Sequence, residues 1–128
     1  MSWLALKTAR DAARTYSTGH SNGAMVQYDL AINPSSAPLL AAVAPVSGIP
    51  HNGWNRGSLG TRMRYLEVQG SNDDYVQPYA GYDPIRPDKS YSKDYGWYYS
   101  AWDNTTSLWQ AQRGFTGART AFTGVCEG

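Results

Sequence analysis

Arg14-Thr15-Tyr16-Ser17-Thr18-Gly19-His20-Ser21-Asn22-Gly23-Ala24-Met25 is the stretch whose reading decides the fold. Thr15 to Thr18 reads as a short strand, β-branched and aromatic in part. Ala24, Met25, Tyr28 and Ile32 recur at helical spacing, and Asn33-Pro34 stops the run. Between them lies Gly19-His20-Ser21-Asn22-Gly23, a serine flanked by glycines at a strand-to-helix junction. That spacing has a mechanical reason. A sharp, strained turn lifts the serine hydroxyl clear of the sheet, and glycines let strand and helix approach closely. The helix start favours developing negative charge, and the Asn22 N–H is placed to donate to it. Chance alone gives such a pentapeptide in roughly 4% of chains this long, so the flanking strand and helix carry the reading.

Working outward, Trp3, Leu6, Ala9 and Ala13 predict an amphipathic helix over residues 2–13. Leu39 to Val46 is almost continuously apolar, apart from Pro45, and predicts a strand buried on both faces, as in a parallel sheet. Gly48, Pro50, Asn52 and Gly53 predict a loop. Arg62 to Val68 is the next strand candidate, ended by Gly70-Ser71-Asn72-Asp73. Residues 77–98 are rich in Pro, Tyr, Asp and Gly and predict a long irregular loop. Ser100 to Gln112 predicts a helix with Trp102, Leu108 and Trp109 inward, and a Thr/Gly-rich tail follows Gly114. Strand, helix, strand, connection, strand, helix is the grammar of an open α/β sheet, mostly parallel, with helices on its faces.

The bulk properties agree with one domain across residues 1–128. A net charge of +1 with 16% charged residues fits neither a nucleic-acid footprint nor a disordered acidic tail. Hydrophobic residues make up 41%, enough for a packed core. The ten Tyr and five Trp crowd into the second half, where core packing and an aromatic cleft are both open readings. Cys126 is the single cysteine, so no internal disulfide is possible. The N-terminus does not read as a secretory signal, because Lys7 and Arg10 break its apolar run. No apolar run approaches the roughly 18 residues of a membrane span. There is no phosphate loop, Cys/His cluster or basic stripe, so no metal, organic cofactor or nucleic-acid partner is expected. Asn104-Thr105-Thr106 fits the N-glycosylation pattern, which matters only for an exported chain.

The stretch Arg14 to Met25 resembles the elbow of α/β-hydrolase serine esterases of the polyhydroxybutyrate-depolymerase and feruloyl-esterase kind. Ala42-Val43-Ala44-Pro45-Val46-Ser47-Gly48 resembles that family's next strand. Gly70-Ser71-Asn72-Asp73 with Val76 and Pro78 looks like its acid loop. Ser107-Leu108-Trp109 through Gly114 and Gly117 to Cys126-Glu127-Gly128 is similar to the segment before its histidine. The resemblance spans about residues 14–128 and implies a partial α/β-hydrolase fold. Carried over, Ser21 is the nucleophile, the Asn22 backbone N–H an oxyanion donor, and Asp73 the triad acid. Asp74 competes with Asp73, because Gln77 adds a residue before the proline. Trp97 and Tyr98 are the candidate substrate-binding residues of an aromatic cleft.

The departures matter as much. In the family, the histidine follows the acid, and no histidine follows Asp73 here. His20 adjoins Ser21 and points away from it. His51 shares the sheet edge, but the order Ser-His-Asp is unusual for this fold. The expectation is therefore a serine carboxylic-ester hydrolase domain, extracellular in its parent family, incomplete and weak or inactive as it stands. Its substrate is a feruloyl-polysaccharide or polyester ester bond. The alternative is a non-catalytic hydrolase-derived module that binds carbohydrate or a partner. A sheet lacking outer strands also leaves edges open to self-association.

Overall fold

The computed structural model describes residues 11, 14–51, 63–79, 90–91 and 96–118. The helix expected over residues 2–13 and the tail with Cys126 lie outside them. Strand β1 (Tyr16–His20) leads into helix α1 (Asn22–Ile32), which Asn33 closes by donating its N–H to the Asp29 carbonyl. A 3-10 turn (Ala37–Leu39) leads to β2 (Ala42–Val46), and β3 (Arg64–Tyr65) follows. Strands β4 (Ser90–Tyr91) and β5 (Tyr98–Tyr99) precede helix α2 (Trp102–Gln112).

β1, β2 and β3 form a parallel sheet in that order, with Tyr16 beside Ala42 and His20 beside Val46. Parallel neighbours need a crossover, and α1 supplies the one between β1 and β2. The expected mostly parallel α/β arrangement is therefore present on a small scale. The third strand is shorter than the expected 62–68, but its ladder continues: Leu66 N–H donates to Val43 and Val68 N–H to Pro45, and Val68 bridges Val46.

Two expectations need correction here. β2 is not buried on both faces: Val43 and Pro45 are buried, whereas Ala42, Ala44 and Val46 are half-buried. Helices cover one face, and the other carries exposed Tyr16, Leu66 and Val68, the first two lining a shallow apolar hollow of about 240 Å³. The loop over 77–98 is not wholly irregular, because Tyr91 pairs with Tyr98 in an antiparallel β4–β5 ladder. Tyrosines suit strands, and Gly96, at φ 67, takes a left-handed conformation that costs other residues more.

The main core joins Tyr28 and Ala31 of α1, Val43 of β2, Met63, and Trp109 of α2. Trp109 stacks on Tyr65 at 4.4 Å between centroids and meets Tyr28 edge-on. A second cluster joins Ile49, Val76 and Tyr99, with Met25 and Trp102 against it. Helix α2 points Thr105 and Trp109 inward, not Leu108, which is 40% exposed. One residue is about 100° of helical rotation, so with Trp109 inward Leu108 turns to the flank.

Candidate functional site around Ser21

Ser21 sits between β1 and α1 with φ 56 and ψ −120. This positive φ is uncommon for a residue with a side chain, and the ψ lies outside the left-handed helical well. Three bonds hold it there. Its N–H donates to the Val46 carbonyl at 3.0 Å, and its carbonyl accepts the Ala24 and Met25 N–H groups. Its side chain makes no capping hydrogen bond. The N–H groups of Asn22 and Gly23 open the helix and have no partner within it, so the turn presents a hydroxyl beside two donors.

The glycines divide the work unequally. A Cβ on Gly19 would collide with the Gly23 carbonyl group and sit 3.0 Å from Gln27 Nε2. A Cβ on Gly23 would meet nothing within 4 Å. Gly48 matters as well: a Cβ there would lie 2.5 Å from the Ser21 carbonyl oxygen and 2.8 Å from Ala24 Cβ. Gly19 and Gly48 are therefore the positions of close approach. Replacing Gly19 with alanine is expected to lower stability by about 1–3 kcal/mol, whereas Gly23→Ala is expected to be tolerated or to gain helix propensity. Urea midpoints of the two variants give the comparison, and equal losses would contradict it.

Ser21 and Asn22 open onto a cavity of about 230 Å³, also lined by Met25, Tyr75, Val76, Trp97 and Tyr99. Trp97 thus reaches the Ser21 cavity, whereas its lining takes Tyr99 of β5 and not Tyr98. His51 packs in T-shaped contact with Trp97 at 5.0 Å and with Tyr99 at 5.4 Å, and is not among the residues that line the cavity. His20 is exposed on β1.

Asp73 is half-buried and acts on its own loop. Its Oδ1 accepts the Tyr75 and Val76 N–H groups, each at 2.9 Å, and its Oδ2 accepts Gln69 Nε2 at 3.2 Å. It therefore braces the segment whose next residues, Tyr75 and Val76, line the cavity. Asp74 is exposed. A wider hollow of about 420 Å³ beside α2, lined by Arg64, Tyr65, Trp109 and Arg113 among others, contains none of the sequence-predicted site residues.

Sequence reasoning missed a polar cluster behind the turn. Tyr28 Oη lies 3.0 Å from both the Gly48 carbonyl and Glu67 Oε1, and Tyr65 donates to Glu67 Oε2. The available signal was a charged residue alternating with Leu66 and Val68, which puts Tyr65 and Glu67 on one face of the strand. Burial pushes the Glu67 carboxyl up from about 4.5 to about 7, partly offset by the two tyrosine hydrogen bonds. Burial also drives both tyrosine hydroxyls upward. The folded chain thus holds a proton that the unfolded chain releases, so stability falls as pH rises from 4.5 to 7. The loss expected from this group is about 3 kcal/mol at most. Urea titrations at both ends of the window should show it, and Glu67→Gln should remove it.

Among the described residues, no helix is long and apolar enough to cross a membrane. Compared with protein-family models, curated proteins and solved structures, the chain matches none.

Proposed function

We propose that this chain carries the nucleophile half of a serine carboxylic-ester hydrolase of partial α/β-hydrolase fold. The observation that carries the reading is the strained backbone of Ser21 at a strand-to-helix turn, open to a cavity beside helix-start N–H groups that have no partner within the helix. In the proposed reaction, Ser21 Oγ attacks the ester carbonyl as a base removes its proton. The Asn22 N–H steadies the oxyanion, the alcohol leaves, and water releases the acyl group. The aromatic wall of Trp97 and Tyr99 suits an aromatic or polymeric ester, such as a feruloyl-polysaccharide or a polyhydroxyalkanoate. Asp73 is the acid that would orient the base, through its Oδ2. The test is trapping: p-nitrophenyl acetate with added imidazole as a surrogate base should acetylate Ser21, located by peptide mass spectrometry. A chain that stays unlabelled, or labels equally in Ser21→Ala, overturns the reading.

A second reading is favoured by Trp97, which is 44% exposed at the cavity mouth. Exposed tryptophan presents a flat apolar face suited to sugar rings, so the chain would be a carbohydrate-binding module. Binding to xylan that survives Ser21→Ala but not Trp97→Ala would favour it.

A further inference from the structure

Tyr28 has one hydroxyl proton and more than one claimant. The Gly48 carbonyl, 3.0 Å away, can only accept. Glu67 Oε1, also 3.0 Å away, accepts when ionised and can donate when neutral. Tyr65 Oη lies 3.3 Å from Tyr28 Oη as well, but with Glu67 neutral each proton has its own acceptor: Oε1–H can donate to Tyr28, Tyr28 to Gly48, and Tyr65 to Oε2. An ionised Glu67 only accepts, and a carboxylate is a stronger acceptor than an amide carbonyl. Tyr28 then turns its proton to Glu67, and Gly48 gives it up.

Gly48 is the residue packed against the Ser21 carbonyl. Its carbonyl is held by a side chain of α1, the helix that Ser21 caps. Tyr28 is fully buried, so water does not readily replace the lost bond. Among the described residues, the titratable groups facing Glu67 are Tyr28 from α1 and Tyr65 from its own strand. From α2, Trp109 packs on Tyr65 and carries no charge.

We propose that Glu67 is a positioning residue of the Ser21 turn: neutral, it leaves the Tyr28 proton to Gly48 and holds the turn closed, and ionised, it withdraws that proton and loosens it. The consequence for catalysis rests on reading Ser21 as a nucleophile. The linkage itself does not.

The test is an NMR titration of the full chain from pH 5 to 9, which needs no turnover. The Glu67 side-chain carboxyl carbon, the Gly48 carbonyl carbon and the Ser21 and Asn22 amides should move along one curve. The variants separate the Glu67 step from any other change along the titration. Glu67→Gln keeps the neutral acid's donor and acceptor, and should fix the Gly48 carbonyl at its low-pH position across the range. Tyr28→Phe should leave Glu67 titrating with Gly48 and Ser21 unmoved; should that variant not fold, Glu67→Gln decides alone. An unchanged Gly48 step in Glu67→Gln, or a wild-type Gly48 that ignores the Glu67 carboxyl, overturns the proposal. A chain that shows the linkage but never acetylates Ser21 loses the proposed function and keeps the device.

Discussion

Purified and assayed without an added base, the 128-residue chain is expected to hydrolyse p-nitrophenyl acetate only slowly, orders of magnitude below a complete serine esterase. Among the described residues, those lining the Ser21 cavity are Ser21, Asn22, Met25, Tyr75, Val76, Trp97 and Tyr99, with no histidine or carboxylate to serve as the base. His51 packs against Trp97 and Tyr99, and His20 is exposed on the strand before the turn. Loss of the histidine from a serine triad costs on the order of a millionfold in kcat. On the proposed reading, what remains is the pull of the Asn22 N–H and the helix start, worth roughly a thousandfold over water when binding is included. Stopped-flow absorbance with wild type, Ser21→Ala and His51→Ala gives the measurement. Fast turnover lost in Ser21→Ala would refute the expectation, and its loss in His51→Ala as well would name His51 as the base.

Trp109→Ala is expected to cost about 3–5 kcal/mol, a large share of the roughly 5–15 kcal/mol that holds a domain together. Trp109 is 3% exposed and lies against Tyr65 and Tyr28. Its removal empties the contact between α2 and the sheet. It also removes the hydrogen bond that Trp109 Nε1 donates to the Met63 carbonyl at 2.9 Å. Trp109→Phe keeps most of the ring and loses only that bond, so about 1–2 kcal/mol is expected. Urea unfolding followed by circular dichroism compares the two. An alanine variant within 1 kcal/mol of wild type would mean that α2 contributes little to the fold.

What was legible in the sequence follows from locality. The β1–turn–α1 unit was readable because strand chemistry, the flanked serine and the helical stripe all lie within about twenty consecutive residues. Helix α2 was readable for the same reason. Its inner face was read in part: Trp109 was named and is buried, but Leu108 was named as well, while the packing turns the small polar Thr105 inward instead. Gly48 read as an ordinary loop glycine, since only the folded chain brings it against Ser21. Glu67 read as one charge in a strand, because its partners Tyr28 and Gly48 come from other segments. The sheet was read as covered on both sides from the apolar run of β2. Apolar sequence shows what a strand can bury, not what arrives to bury it. Asp73 was named from its loop, and the structure gives it a local task there, bracing Tyr75 and Val76.

The close approach of Gly48 to the Ser21 carbonyl bears on transplantation. The pentapeptide Gly19–Gly23 is not a portable cassette. Grafted onto another strand–helix junction, it would bring the serine and the helix-start N–H groups but leave behind the neighbouring glycine that backs the turn and the Val46 carbonyl that anchors it. The smallest transferable unit is two adjacent parallel strands with the exits of both, so a designer who wants this serine must import residues 16–48 together.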